Sequence, residues 1–363
     1  LRERQLPPAL TVSWLDFLHG TVRLDELLAH GAVLRIESPG EDPAVEAALL
    51  SLGAGEADPE ENSQRLSRQA IARQLPDPGL ILCPRQWFLG FRAALGEIER
   101  QLAAAPGAAS MNAPRDIVAM FDKQECHRRF RLFGLPTPPT LGRVRQFEDL
   151  LTQMRGCGWT RVFVKPAHGS SASGMVALAV RGSQVAAYST VEMVRKAGGL
   201  RLYNSLRIRR YDQWREVAEL IDALCREVVV VERWLPKACL AGQALDLRVV
   251  VIAGQARHTV VRISSSPFTN LHLGNRRGNL AEVRGQMKPA DWDAAMADAA
   301  AALQPFPDSL YGGVDLLIET GWQRHALLEV NAFGDLLPGL EVEGKDIYAT
   351  EIDAVLAGAE VGA

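Results

Sequence analysis

Gly313-Val-Asp-Leu-Leu-Ile318 and Ala326-Leu-Leu-Glu-Val-Asn331 are two short, apolar, strand-like runs close together in the chain. Their length and spacing predict an antiparallel pair. Each carries polar residues where a buried strand needs none. Residues two apart on a strand share a face, so Glu329 and Asn331 present oxygen donors side by side. A neighbouring strand carrying Asp315 adds a third. A few hard oxygen ligands suit Mg²⁺, which keeps waters and takes substrate phosphates to complete its shell. Any one of these residues alone reads as a polar position on a half-solvated sheet. The three together, inside such apolar strands, point to metal.

Upstream, Val162-Phe-Val-Lys165-Pro166 ends a strand on a lysine, with proline closing the pairing. His168-Gly-Ser-Ser-Ala-Ser-Gly174 follows, a small-residue loop whose amides can approach phosphate oxygens. It lacks the G-K-[ST] ending of a Walker A loop and is not G-x-G-x-x-G, so a flexible turn is the competing explanation. Lys123, by itself, reads as a surface lysine. Arg248 and Arg262 alternate with strand hydrophobics; they are either rim charges or recognition groups for carboxylate or phosphate. Asn270 and His272 lie two apart in a loop that local side-chain caps would explain.

The whole chain has 363 residues, 47% hydrophobic and 23% charged, with a formal net charge of −3. That is globular composition without the basic excess of a nucleic-acid protein. The longest apolar runs fall far short of the ~18 residues of a membrane span. The five cysteines form no C-x-x-C pair, so neither a disulfide framework nor a zinc site is indicated, and a reducing cytoplasm is the expected setting. Ala103–Ser110, small and uncharged, reads as a linker. We therefore expect a first α/β domain over 1–110, with strands at Leu10–Leu18 and Ala32–Ile36 and a further short one at Leu80–Leu82. Beyond the linker a single helix is expected over Pro114–Phe133. Then come strands at Val162–Val164, Met175–Val180, Val228–Trp234, Leu247–Ala253 and Ala256–Ile263, with helices at Asp212–Cys225 and Asp291–Leu303. Mixed hairpins and helices make this part α+β.

Taken in order, the pieces are Lys123 before Gly134-Leu-Pro-Thr-Pro138, Val164-Lys-Pro166 with its loop, and Val228-Val-Val-Val-Glu-Arg-Trp-Leu235. Asp246-Leu-Arg248, Asn270-Leu-His272, Gly313-Val-Asp315 and Glu329-Val-Asn331 follow. This order resembles the ATP-grasp superfamily of carboxylate–amine ligases over about 112–340. The spacing from Asp246 to His272 is most similar to the ribosomal-protein glutamate ligase branch. The resemblance implies an N-terminal pre-grasp α/β domain over 1–110 and a two-lobed grasp fold, with lobes at 111–200 and 201–363 and ATP between two antiparallel sheets. It implies that Lys123, Lys165, Gly169, Ser170, Ser171 and Gly174 bind and cover the ATP phosphates. Glu232, Arg233 and Leu235 would form the hinge beside adenine. Asp315, Glu329 and Asn331 would hold Mg²⁺. Asn270 would sit near the phosphates and metal, and Arg248 and Arg262 would face the acyl phosphate or the substrate carboxylate, the three forming the catalytic set.

Two segments depart from the pattern. Pro236–Ala244 is long and leaves the ribose contact unassigned, and the loop after Asn331 brings in an extra acid, Asp335. The activity implied is ATP-dependent amide formation on a small molecule or peptide, by way of an acyl phosphate. The alternatives are a small-molecule kinase on the same fold and a non-catalytic nucleotide-binding protein. The expected partners are the carboxylate and amine substrates and a second copy of the chain as a homodimer, without nucleic acid or membrane.

Overall fold

The computed structural model describes residues 4, 6–58, 63–169, 172–196, 198–333, 337 and 339–361. Two antiparallel sheets face one another, with a largely helical N-terminal segment packed behind the larger.

The N-terminal segment carries α1 (Trp14–Leu18), α2 (Leu24–Leu27), α3 (Pro43–Gly53), α4 (Arg68–Arg73) and α5 (Pro84–Ala103). Its only sheet among the described residues is β1 (Val33–Leu34) paired in parallel with β2 (Ala109–Ser110). The expected α/β alternation is thus mostly helix. The strand expected over Leu10–Leu18 is helical from Trp14, because Ser13 caps it: its hydroxyl accepts from the Asp16 amide. Leu80 makes only an isolated bridge to Tyr203. Helices α3 and α5 cross where Gly53 meets Gly90. A Cβ on Gly90 would lie 1.9 Å from the Leu49 carbonyl oxygen, so only glycine lets the backbones touch.

The single helix expected over Pro114–Phe133 is two, α6 (Pro114–Phe121) and α7 (Lys123–Leu132). Asp122 interrupts them with an extended backbone, and its carboxylate accepts from the amides of Gln124 and Glu125. The break aims the start of α7 at the space between the sheets.

The smaller sheet has the order β6-β5-β4-β3-β7: β3 (Arg161–Pro166), β4 (Val176–Arg181), β5 (Gln184–Lys196), β6 (Gly199–Tyr211) and β7 (Val229–Arg233). A lobe boundary at 200 would cut this sheet, since β6 and β7 belong to it. Val162 and Val164 turn towards α8 (Phe147–Gly156) and α9 (Trp214–Leu224), burying Leu150, Leu220 and Ile221. Phe163 and Lys165, alternating with them, turn the other way.

The larger sheet runs β11-β10-β9-β12-β13, with β8 (Cys239–Leu240) also on β9. Its strands are β9 (Gln243–Ile252), β10 (Gln255–Ser264), β11 (Arg276–Arg277), β12 (Tyr311–Ile318) and β13 (His325–Asn331). Between β11 and β12 the chain forms α10 (Leu280–Gln286) and α11 (Pro289–Ala301). Leu247, Val249, Val314 and Leu316 form one core with Phe17, Leu49, Phe91 and Ile117 of the N-terminal helices. Half of the opposite face, at Val250, Ile252 and Tyr311, packs towards Ile347 of α12 (Ile347–Val361). The other half is charged and faces the smaller sheet. No helix among the described residues is long and apolar enough to cross a membrane.

Candidate active site

Between the sheets lies a cleft of about 830 Å³. Lys123, Lys165, Gly169, Glu232, Arg233, Leu235, Arg262, Asn270, Asp315 and Glu329 all line it. They come from both sheets, from α7 and from three loops, so the fold brings together residues as far apart in the chain as Lys123 and Glu329.

The smaller sheet supplies an apolar wall and one ion pair. Lys165 is buried and donates to Glu232 Oε2 at 2.6 Å across the β3–β7 pairing. His127 Nε2 lies 3.3 Å from the other Glu232 oxygen. Burial would raise the Glu232 pKa, but the Lys165 ammonium and His127 outweigh it and hold it at about 2. Burial pulls the Lys165 pKa down, and Glu232, Glu329 and Asp315 more than restore it, leaving it raised. Phe163 meets Phe268 from the opposite wall edge-on, with ring centroids 5.9 Å apart. With Met175, Leu317 and Leu328 they line a slot of the flat, apolar kind that accepts an aromatic base. The Arg233 amide donates to the Pro139 carbonyl, so its backbone can offer a base only the carbonyl.

The larger sheet supplies a chain of alternating charges. Lys237 donates to Asp246 Oδ2 at 2.9 Å and to the Thr269 hydroxyl at 2.6 Å. Arg262 Nε donates to Asp246 Oδ1 at 2.7 Å, and its Nη2 lies 3.0 Å from Asp315 Oδ2. Arg248 Nε holds the other Asp315 oxygen. All five charged groups are buried. Burial alone would raise both aspartate pKa values; Arg262 and Lys237 hold Asp246 low, and Arg248 and Arg262 hold Asp315 low. Burial lowers the Lys237 pKa.

The metal expectation is met unevenly. Asp315 stands opposite Glu329 in the β12–β13 register, and Asn331 opposite Gly313. Asn331 Nδ2 donates to the Gly313 carbonyl, which orients its amide. Glu329 is half-buried, with one oxygen 3.7 Å from Lys123 Nζ. Among the described residues no three His, Cys, Asp or Glu side chains converge as a metal group. Both Asp315 oxygens are held by guanidinium groups. Glu329 and Asn331 carry oxygen donors of the hard kind a divalent cation takes, and Asp315 would join them only by exchanging an arginine.

Other expected residues fall as follows. Lys123 donates to the Gly169 carbonyl at 2.7 Å. Gly174 adopts φ +72°, and a Cβ there would lie 2.6 Å from the Pro166 ring; its role is to let the chain fold back over that proline. Ser170, Ser171 and Asp335 lie outside the described residues. Arg248 stands behind Asp315 rather than among the cleft-lining residues, so it acts on Asp315. Asn270 lines the cleft, and its side chain caps the turn, accepting from the His272 amide at 2.9 Å.

Sequence reasoning missed Lys237, Thr269, Phe163 and Phe268 as cleft residues. Lys237 falls in the long Pro236–Ala244 segment that departs from the pattern. A signal existed for Asp246: with Arg248 it makes an i, i+2 charged pair on one face of an otherwise apolar strand.

No family model matches the chain, and no curated protein matches it. Three solved structures are similar at low identity. The ATP-grasp ligase PsnB complexed with minimal precursor, Mg and ADP is 18% identical, covering 92% of this chain and 100% of that one, with a TM-score of 0.47. D-alanine–D-alanine ligase from Bacillus anthracis complexed with ATP is 13% identical, covering 73% and 74%, with a TM-score of 0.45. The macrocyclase MdnC of Microcystis aeruginosa MRC, bound with precursor peptide MdnA, is 15% identical, covering 83% and 76%, with a TM-score of 0.44. All three scores are below 0.5, so the functional reading stands on the geometry of the cleft.

Proposed function

We propose that the chain is an ATP-dependent carboxylate–amine ligase of the ATP-grasp type, most similar to the ribosomal-protein glutamate ligase branch, working through an acyl phosphate. The observation that carries this reading is the single cleft in which Lys123, Lys165, Glu232, Arg262, Asn270, Asp315 and Glu329 meet between two antiparallel sheets.

The base of ATP would enter the apolar slot that Phe163, Phe268, Met175, Leu317 and Leu328 line, beside the Glu232–Leu235 hinge. The phosphates would run towards Lys123 and Lys165. Glu329 and Asn331 would hold Mg²⁺, with Asp315 opposite; when bound, the ion neutralises charge on the phosphoryl oxygens. A carboxylate does not acylate amines because its oxygen is a poor leaving group. Transfer of the γ-phosphoryl group to it forms an acyl phosphate and releases ADP. The amine then attacks the acyl carbon, and phosphate leaves. The chain's part is placement and charge neutralisation, which fixed, buried cations perform without reorganising. Arg262 keeps a fixed guanidinium on the cleft, where the carboxylate and then the acyl phosphate would lie. A peptide or small molecule would bring the carboxylate and the amine.

Calorimetric titration with ATP, with and without Mg²⁺, tests the nucleotide site. Mg²⁺-dependent binding to the wild type, lost in Lys165→Ala, is the expected result. Screening carboxylates for ADP release in the presence of hydroxylamine then tests the chemistry, since hydroxylamine traps an acyl phosphate. ADP release without a trapped hydroxamate would instead indicate phosphoryl transfer to a hydroxyl.

A further inference from the structure

His168 immediately precedes Gly169, yet its side chain is turned away from the cleft and buried. Its ring stacks on Phe88 of α5, with centroids 4.0 Å apart and planes 22° from parallel. Its Nε2 stands 3.4 Å from Arg85 Nη1 and 3.4 Å from Asp122 Oδ2. Arg85 also belongs to α5 and is buried. Its guanidinium donates to Asp58 Oδ1 at 2.9 and 3.1 Å, and its amide donates to Glu227 Oε2 at 3.2 Å. The imidazole nitrogen makes one hydrogen bond at a time: as N–H it donates to Asp122, and Arg85 is then only its neighbour.

On the other side, Asp122 caps α7, whose first residue is Lys123. The Lys123 amide donates to the Ala167 carbonyl at 3.1 Å, and the Lys123 ammonium donates to the Gly169 carbonyl at 2.7 Å. His168 thus sits between the two residues, Ala167 and Gly169, that Lys123 grips. Nothing in the nucleotide chemistry requires a histidine there, and the proposed mechanism leaves it unused.

We propose that His168 is a positioning residue for nucleotide binding. It fixes Lys123 and Gly169 through Asp122 and Ala167, and ties their placement to helix α5 through the stack on Phe88. This rests on the proposed ATP site, but the joint itself exists without nucleotide. It makes the N-terminal segment part of the phosphate-binding apparatus, although none of that segment's described residues lines the cleft. A shift of about 1 Å in a positioning group can cost up to about a hundredfold in function, so a loosened joint should be measurable.

The test uses the full chain and Mg²⁺-ATP. Wild type, His168→Ala, His168→Gln, Lys123→Met and the His168→Ala/Lys123→Met double variant are compared by melting and calorimetry. His168→Ala is expected to weaken Mg²⁺-ATP about tenfold, with His168→Gln recovering most of the loss. In the Lys123→Met background the His168 substitution should add little, because it acts through that lysine. A merely structural role predicts the full loss in both backgrounds, which would overturn the proposal, as would unchanged ATP affinity in folded His168→Ala. If His168→Ala does not fold, Phe88→Leu takes its place in the same cycle. Hydrogen exchange without nucleotide separates the two readings. Faster exchange of the Lys123 amide in His168→Ala, in a protein that does not bind ATP, would leave the joint standing and remove the ATP site. Unchanged exchange would overturn the joint.

Discussion

On the smaller sheet, Lys165 meets a single carboxylate from the neighbouring strand, Glu232. On the larger sheet, Asp246 and Asp315 are shared among Lys237, Arg262 and Arg248. One wall is therefore a pair set in apolar surroundings and the other is a network. The pair has little reserve, because removing Glu232 takes from Lys165 its hydrogen-bonded carboxylate and leaves only the longer-range attraction of Glu329 and Asp315. In the network Asp246, Arg262 and Asp315 each keep a second charged partner after one is lost. The pair should fail as a unit and the network should yield gradually.

The largest effect should come from breaking the pair. Glu232→Ala strands the Lys165 ammonium in a buried site and should cost about 3–5 kcal/mol of stability, together with Mg²⁺-ATP binding. Denaturant unfolding and calorimetry read both. A loss below about 1 kcal/mol would mean that Lys165 finds another partner, and the contrast between the walls would fall. The same pair has an acid limb. The Glu232 pKa falls from 4.5 to about 2 on folding, so its contribution is fully present above 4.5 and is lost as pH drops towards 2. Glu232→Gln should flatten the stability profile across that window.

The network should show its character in a double-mutant cycle. Asp246→Asn and Arg262→Met, singly and together, should give a coupling energy of about 1–3 kcal/mol, because the two groups share one hydrogen bond within a single chain of buried charges. Additive losses would show that Asp246 and Arg262 act as separate sites. The corresponding surface-side contact should be weak. Lys123 Nζ lies 3.7 Å from Glu329 and is partly exposed, so Lys123→Ala should change stability by less than about 1 kcal/mol. Its Mg²⁺-ATP affinity should nonetheless fall about tenfold, which separates binding from folding at that residue.

The contrast also explains what could be read from the residues alone. Asp315, Glu329, Asn331 and Lys165 were legible because a charge or amide inside an apolar strand has no packing reason to be there. The helix start at Trp14 left a trace as well: Ser13 three residues before Asp16 is a capping pattern, and Asp122 before Glu125 is another. The apolar character of Leu10–Leu18 obscured the first. Phe163 and Phe268 were not legible, since an aromatic in a Val-Phe-Val strand looks like core until the opposite wall is in place. Strand β5 went unread because Gln184-Val-Ala-Ala-Tyr-Ser-Thr-Val-Glu-Met-Val-Arg-Lys196 has little contrast between its faces. The joint at His168 lay beyond reach for a different reason. Its partners Asp58, Arg85 and Phe88 are some eighty to a hundred and ten residues away, and only the tertiary fold brings them together.

The smallest effect lies at the edge of that joint and has the opposite pH sense from Glu232. Glu227 accepts from the Arg85 amide through one oxygen, and burial pushes its pKa from 4.5 up to about 7. A carboxyl whose folded pKa is raised favours the folded state in its neutral form. Its contribution is complete below 4.5 and is lost as pH rises through 7, because ionisation then stabilises the unfolded chain more than the folded one. Glu351, buried beside Arg35, is also raised to about 7 and adds to the same slope. Glu227→Gln keeps an acceptor for the Arg85 amide but cannot ionise. Its melting temperature should therefore match wild type near pH 4.5 and exceed it at pH 8, with the Glu351 share of the slope remaining. Equal melting temperatures at both pH values would mean that Glu227 is ionised in the folded protein near neutral pH, so that the anchoring of Arg85 depends on its charge as well as on an acceptor oxygen.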